Sequence, residues 1–208
     1  FVSCQDYIGR YFNPYLLLAG EDLDFVVHLG DYVYETTGDP TVPIPTGRAL
    51  AFTDEAFAIA LGEGDKVQYA ARSLDNYRQL YKTVRSDRNL QAVHERFPMI
   101  ATWDDHEFSD DCHGATATYF DGRRDETDPQ RRKAANQAWS EYQPADCAGP
   151  PDEVRIYRDF VFGKNVHLVM TDLRSERADH QIPEDALPGA VVLDQEALAA
   201  ALGQVPGA

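Results

Sequence analysis

Four polar residues follow directly on an apolar run near the middle of the chain. The run Phe97–Thr102 is typical of a strand, and just after it come Asp104, Asp105, His106 and Glu107. Carboxylates are hard ligands for metal ions, and histidine carries protons near neutral pH. Because α/β folds gather their chemistry at the carboxyl ends of strands, this segment predicts an active site rather than a solvated face.

A second apolar segment, Leu23–Leu29, leads into Gly30 and Asp31 and predicts another strand that ends in an acid. Glycine allows the backbone to turn sharply beside a bound ion, and Asp31 would then bridge two cations at the strand edge. Tyr34 returns to the same side if the chain turns there, and a phenolate is a hard ligand suited to trivalent iron. The alternatives are a turn or cap role for Asp31 and a packed aromatic ring for Tyr34.

A third strand, ending near Thr171, delivers Asp172, and Arg174 follows two residues on. A guanidinium at a strand end can hold a phosphate or sulfate through paired hydrogen bonds. A structural ion pair of Asp172 with Arg174 or Arg177 is the alternative that the residues alone favour.

Cys4 closes the first predicted strand, Phe1–Cys4, and completes the set of strand ends. A thiolate bound to a metal is deprotonated outright, whereas a buried inert cysteine is the ordinary alternative. Oxygen ligands with one thiolate and one phenolate suit iron beside a hard divalent ion such as calcium. Two such cations favour phosphate-ester hydrolysis by a metal-activated hydroxide, with His106 as proton donor to the leaving alkoxide.

The charge of the chain limits its partners. With 19 basic and 35 acidic residues the net charge is −16, which disfavours DNA, RNA and anionic membranes. The same charge suits a protein that collects cations, although surface acid that only aids solubility explains it equally well. No apolar run approaches the roughly 18 residues of a membrane span. The expected partner is a small-molecule substrate.

Predicted strands and helices alternate along the chain, which indicates an α/β domain with a later hairpin. The segments Thr36–Arg72 and Ser109–Asp128 are predicted to be long loops that line a site. The predicted helices are Tyr7–Ala19, Leu74–Arg85, Leu90–Phe97, Pro129–Tyr142 and Leu193–Leu202, and the predicted hairpin joins Glu153–Phe162 to Asn165–Thr171 around Gly163 and Lys164.

Two cysteines, Cys112 and Cys147, occupy polar segments predicted to be loops. They either pair in an oxidising compartment or remain free thiols, and the sequence leaves both possibilities open.

Four motifs together resemble those of the PhoD-like phosphatases, members of the calcineurin-like metallophosphoesterase superfamily. These motifs are Ser3–Gln5, His28–Glu35, Ala101–Glu107 and Thr171–Ser175, and the resemblance covers nearly the whole chain. It implies a four-layer fold, a β-sandwich flanked by helices. It also implies hydrolysis of phosphomonoesters and often phosphodiesters, with iron (Fe³⁺) and calcium as cofactors, in a secreted or periplasmic protein.

Carried over by this resemblance, Cys4, Asp31 and Tyr34 correspond to iron ligands, and Asp31 also reaches calcium. Asp110 falls in a loop where it would be a further calcium ligand. All four residues lie within or just after the quoted motifs.

The resemblance also assigns the reacting groups. Asp105 corresponds to a metal ligand at the catalytic centre and His106 to the catalytic histidine, although Asp104 and Asp105 can exchange roles. Arg174 is expected to contact the substrate.

The chain departs from the family pattern after Asp172, where further histidine and acid motifs would close the site. We therefore expect residues 1–208 to be a partial catalytic domain without the N-terminal β-domain and the C-terminal half of the core. The alternatives to an enzyme are a non-catalytic calcium-binding module or an inactive fragment, and a hydrolase of another ester class is a third possibility.

Overall fold

The computed structural model describes residues 1–38, 48–62, 67–117, 126–147, 149–150 and 154–179. Residues Phe1–Glu176 form one unit, and Arg177–Ala208 form a second unit of which only the first three residues are described. The predicted helix Leu193–Leu202 therefore lies outside the described residues.

The first unit combines helices with short strands. In chain order these are α1 (Asn13–Leu18), β1 (Val26–His28), a 3-10 helix (Glu55–Phe57), β2 (Ile59–Leu61), β3 (Gln68–Ala70), α2 (Leu74–Val84), α3 (Arg88–Arg96), β4 (Met99–Ala101), β5 (Thr116–Ala117), β6 (Glu126–Thr127), α4 (Pro129–Tyr142), β7 (Arg158–Phe162) and β8 (Val166–Met170). No helix within the described ranges has the length and apolar character that crossing a membrane requires.

Three parallel segments position the residues of chemical interest. Strands β1 and β4 pair in parallel, with His28 opposite Ala101, and Val2 forms a parallel bridge on the other side of His28. Parallel strands place their carboxyl ends at one edge of a sheet. The residues that follow each segment therefore meet at that edge, as the sequence predicts.

Helix α2 begins and packs as its sequence indicates. The Ser73 hydroxyl accepts a hydrogen bond from the Asn76 N–H at 3.1 Å, and the Asn76 side chain accepts one from the Ser73 N–H at 3.1 Å. This reciprocal cap satisfies two backbone donors that the helix itself cannot pair. The predicted apolar stripe, which includes Leu80 and Val84, is buried.

The predicted helix Tyr7–Ala19 is wrong over its first half, because the structure contains only α1. Gly9 adopts a left-handed φ of 68°, which breaks any helix before it. Pro14 then sits in the first turn of α1, where its missing N–H costs nothing. Tyr11, which falls inside the predicted helix but outside α1, is 56% exposed.

The two predicted loops contain small sheets. Strands β2 and β3 pair within Thr36–Arg72, and β5 and β6 pair across Ser109–Asp128. The hairpin prediction is confirmed in its turn and in β8, but its first strand begins only at Arg158. The described residues form four two-stranded sheets with helices, and the expected four-layer sandwich is not seen among them.

Gly30 lies where the ends of β1 and β4 come closest. Its φ is 110°, and a Cβ atom added there would lie 2.3 Å from the Asp104 backbone nitrogen. Backbone cannot yield as a flexible side chain can, so only glycine fits this position.

We predict that Gly30→Ala destabilises the protein by about 3 kcal/mol or more, because it adds both a clash and backbone strain. Gly163→Ala is the matched control, since Gly163 has a φ of 61° with nothing within 4 Å of the added Cβ. It should cost only about 1 kcal/mol, the left-handed strain alone. Urea unfolding of the two variants measures the difference. Equal losses would show that the strand ends do not approach as described.

Candidate metal centre

A buried carboxylate ties the ends of β1 and β4 together. The two oxygens of Glu107 accept hydrogen bonds from the backbone N–H groups of Tyr32 at 2.6 Å, Asp31 at 3.1 Å and Asp104 at 2.7 Å. Burial, together with the charge of Asp31, raises the pKa of Glu107 to about 8, against the pull of these three donors. These three hydrogen bonds fix the positions of the acids that follow each strand.

Asp31, Asp105 and His106 converge at this edge of the sheet. Each offers one ligand atom, and these atoms all lie within 4.8 Å of one another. Asp31 Oδ1 is buried and has no hydrogen-bond partner among the described residues. A buried carboxylate oxygen that lacks a donor is costly, so the donor set fits a bound cation.

The pKa of Asp31 is also consistent with a bound cation. Burial raises the pKa of Asp31 to about 6, with Asp105 adding to the rise and His106 opposing it. A cation between the two aspartates would remove the repulsion between them.

Tyr34 and Cys4 flank Asp31. The Tyr34 hydroxyl donates a hydrogen bond to Asp31 Oδ2 at 3.3 Å, and the Cys4 thiol interacts with the same carboxylate. Burial raises the pKa of the Tyr34 phenol well above its usual value and also raises the pKa of the Cys4 thiol. Both groups are therefore protonated without a metal, and coordination would release their protons.

Cys4 and Asp31 share an unusual backbone. Their φ angles are 56° and 55°, in the left-handed region that side chains other than glycine rarely occupy. Such conformations cost about 1–3 kcal/mol each and tend to occur at functional sites.

His106 is held between two acids. Its Nδ1 lies 2.7 Å from Glu35 Oε2, and its Nε2 lies 3.3 Å from Asp110 Oδ1. Burial lowers the pKa of His106, but Glu35, Asp105 and Asp31 outweigh it and raise the value to about 10. The imidazole is therefore a cation at neutral pH.

Asp110 lies beside His106 rather than within the closest ligand group. Its backbone N–H donates to Glu35 Oε1 at 2.8 Å, which joins it to the same buried acid. Burial raises the pKa of Asp110 to about 7. Asp110 therefore contacts the group of Asp31, Asp105 and His106 through the His106 ring.

Arg174 pairs with three acids and not with Asp172. Its guanidinium lies 2.6 Å from Asp104, 3.0 Å from Asp111 and 3.5 Å from Asp105. The alternative in which the Asp172 and Arg174 side chains form an ion pair is therefore wrong.

Asp172 instead caps the turn that follows β8. It accepts hydrogen bonds from the backbone N–H groups of Arg174 and Ser175 at 3.0 and 2.8 Å, and from the Trp103 indole at 3.1 Å. These contacts give Asp172 a structural role at the edge of the site.

The two loop cysteines are free thiols in the structure, so of the two open possibilities the structure shows the unpaired one. Cys112 is fully buried, where the sequence predicts a polar loop, and its thiol donates to the Asp105 carbonyl at 3.7 Å.

Two acids with clear contacts here, Glu35 and Asp111, received no role from the sequence, and Glu107 was predicted only as a member of the acidic cluster and not as the acceptor for three backbone N–H groups. Their partners lie far along the chain, as in the 71-residue separation of Glu35 from His106. The only local signal is that Glu35 and Glu107 each follow a candidate ligand within a few residues.

An open cavity of about 350 Å³ adjoins the centre. Cys4 and Tyr34 line it on the side of the site, and Asp6, Ile8 and Arg10 line it further out. It offers room for a small molecule next to the ligand set.

Comparison with known proteins gives consistent matches. The family model described as PhoD-like phosphatase matches residues 1–204. Alkaline phosphatase D from Bacillus subtilis (strain 168) is 33% identical over 181 residues, which cover 86% of this chain and 28% of that protein. The solved structure of PhoD is similar with a TM-score of 0.65 and 29% identity, over 89% of this chain and 34% of that one. The chain thus spans only a part of each relative.

We predict that Glu107→Gln destabilises the full-length protein by about 1–3 kcal/mol, because an amide NH₂ would face backbone donors that now have acceptors. The measurement is urea unfolding at about pH 6, because ionisation of Glu107 above its raised pKa of about 8 lowers the stability of the wild type and would mask the loss. Glu141→Gln is the matched control: Glu141 pairs with Arg78 at the surface, and its loss should cost less than about 1 kcal/mol. Equal losses of unfolding free energy in the two variants would show that Glu107 does not hold the two strand ends together.

Proposed function

The chain belongs to the PhoD-like phosphatase family, as its motifs predict, and on this premise we propose that it carries part of the active site of a metal-dependent phosphate-ester hydrolase. The observation that carries the proposal is the convergence of Asp31, Asp105 and His106, with Asp31 Oδ1 buried and without a hydrogen-bond partner in the described part of the chain. An acid-lined site repels a phosphate ester until cations occupy it, so binding of substrate would follow binding of metal.

We assign the metal ligands as follows. Cys4, Asp31 and Tyr34 would hold iron (Fe³⁺), supported by the contacts of Tyr34 and Cys4 with the Asp31 carboxylate. Asp31, Asp105 and Asp110 would hold calcium, whose preference for several oxygen ligands they satisfy. When bound, these ions supply a nucleophile from water and neutralise charge on the phosphoryl oxygens.

His106 acts as the proton donor to the leaving alkoxide in this proposal. Its cationic form is favoured by the surrounding acids, and a protonated imidazole can donate a proton to the leaving oxygen. Glu35, which is buried against Nδ1, fixes the ring so that Nε2 faces the site. Asp105 stands beside His106 as the ligand of the catalytic centre.

Arg174 is assigned to substrate contact. The support is its position 3.5 Å from Asp105, which places a guanidinium at the rim of the ligand set. Its pairing with Asp104 and Asp111 also holds these two acids in place. In this proposal the remaining face of the guanidinium contacts the phosphate.

Family membership alone supports four further assignments. These are hydrolysis of phosphodiesters in addition to monoesters, an extracytoplasmic location, a complete four-layer sandwich in the full-length protein, and the status of residues 1–208 as part of a larger catalytic domain. The free thiols of Cys112 and Cys147 add nothing to the assignment of location.

We expect the full-length protein to release p-nitrophenol from p-nitrophenyl phosphate when iron and calcium are present, and to lose this activity on chelation. Asp31→Asn should abolish turnover, and His106→Asn should lower kcat by about 100-fold or more on an alkyl phosphate, whose leaving alkoxide needs the proton that His106 donates, and by less on p-nitrophenyl phosphate. Asp75→Asn is the matched control, since Asp75 is an exposed acid on α2, and it should leave activity unchanged.

Two results would contradict the proposal. The first is that the metal-loaded protein hydrolyses neither monoesters nor diesters. The second is thermal stability that depends on metal, is unchanged by His106→Asn and comes without turnover, which would favour the non-catalytic calcium-binding module.

A further inference from the structure

The turn Gly30–Tyr32 has all its backbone polar groups paired by residues from other segments. The Gly30 and Asp31 carbonyls accept hydrogen bonds from the backbone N–H groups of Cys4 at 3.1 Å and Gln5 at 3.0 Å. The N–H groups of Asp31 and Tyr32 go to Glu107. Two groups remain, the Gly30 N–H and the Tyr32 carbonyl, and both are met by buried side chains of neighbouring segments.

Gln5 is one of these side chains. It is 6% exposed, and its amide N–H donates to the Tyr32 carbonyl at 3.0 Å. Its amide oxygen accepts from the Tyr15 hydroxyl at 2.5 Å and lies 3.2 Å from His28 Nε2. One side chain thus connects the first segment, α1, β1 and the turn that carries Asp31.

His28 is the other side chain, and its contacts determine its tautomer. The Gly30 N–H donates to Nδ1 at 3.2 Å, so Nδ1 must be the acceptor and the ring proton must lie on Nε2. Nε2 can then donate to the Gln5 amide oxygen. The ring is fully buried and neutral, since burial lowers the pKa of His28 to about 3.

These contacts bear directly on Cys4 and Asp31, both of which have left-handed backbone. Cys4 precedes Gln5 in the chain, and Asp31 lies between the two groups that Gln5 and His28 hold. A left-handed conformation persists only where its surroundings over-determine it. The side chains of Gln5 and His28 belong to those surroundings, although neither touches the ligand atoms.

We propose that Gln5 and His28 are positioning residues that hold the Cys4 thiol and the Asp31 carboxylate where both can reach one cation. The inference rests on the proposed function, because it requires Cys4 and Asp31 to be ligands. Loss of the Gln5 amide frees the Tyr32 carbonyl and allows Cys4 to relax away from Asp31. Metal affinity then falls, although every ligand is still present.

The test compares Gln5→Glu and Tyr15→Phe in the full-length protein. Gln5→Glu keeps the acceptor for Tyr15 and His28 but sets a carboxylate oxygen against the Tyr32 carbonyl, whereas Tyr15→Phe removes one donor to Gln5. Ile59→Ala is the control, since Ile59 is buried in the β2–β3 hairpin and its truncation lowers stability without altering the network.

Two measurements test the inference without depending on catalytic turnover. The first is iron retained against increasing chelator, measured by elemental analysis. The second is the rate at which a maleimide labels Cys4 in the metal-free protein, with Cys4→Ser as the background for Cys112 and Cys147. We expect Gln5→Glu to lower iron affinity by about 10- to 100-fold and to change the Cys4 labelling rate severalfold. Tyr15→Phe should change the iron affinity and the Cys4 labelling rate in the same directions, but by smaller amounts.

The outcomes separate the positioning role from a merely structural one. If Gln5→Glu and Tyr15→Phe lower the melting temperature as Ile59→Ala does but keep wild-type iron affinity and labelling, the inference is overturned. Should Gln5→Glu fail to fold, the Tyr15→Phe result decides in the same way. If Cys4→Ser and Asp31→Asn themselves leave iron affinity unchanged, it is the ligand assignment of the proposed function that fails.

Discussion

The buried carboxylate of Glu107 is the constraint on which the candidate site depends. Strands β1 and β4 are only three residues long, and such short parallel strands do not by themselves fix the chain that follows them. By accepting three backbone N–H groups from the two strand ends, Glu107 makes the turn after β1 and the segment after β4 one rigid piece. The close approach at Gly30 follows from this, and so does the distance between Asp31 and Asp105.

The rigid edge concentrates negative charge that the protein alone does not neutralise. Asp31, Asp105, Asp110 and Glu35 lie around the His106 imidazolium, with the Arg174 guanidinium 3.5 Å from Asp105, and burial raises the pKa of Asp31 and Asp110. Carboxylates held this closely favour a bound cation, which would relieve their repulsion and accept the free oxygen of Asp31. Metal binding would therefore be coupled to the local fold, because the Glu107 hydrogen bonds hold the candidate ligands and a bound cation would in turn stabilise the turn that carries Asp31.

Features governed by neighbours in sequence were predictable, and features governed by distant partners were not. The Ser73 cap and the buried stripe of α2, the turn at Gly163 and the strands that carry Asp31 and Asp104 follow from local patterns. The roles of Glu35, Glu107 and Asp111 depend on partners 63 to 76 residues away, which no local pattern encodes. The helix predicted from Tyr7 does not form over its first half because the backbone at Gly9 is left-handed, a conformation that the residue types alone do not fix. Arg174 was correctly placed at a strand end, but its three acid partners come from the segment after β4.

The most direct test of the account is an anomalous-diffraction crystal structure of the full-length protein grown with iron and calcium. The account predicts metal within about 2.0–2.6 Å of the Asp31 carboxylate, with Cys4 and Tyr34 turned toward the iron and Asp105 turned toward the calcium. Iron or calcium bound elsewhere, with the Asp31 and Asp105 side chains directed away from each other, would contradict it.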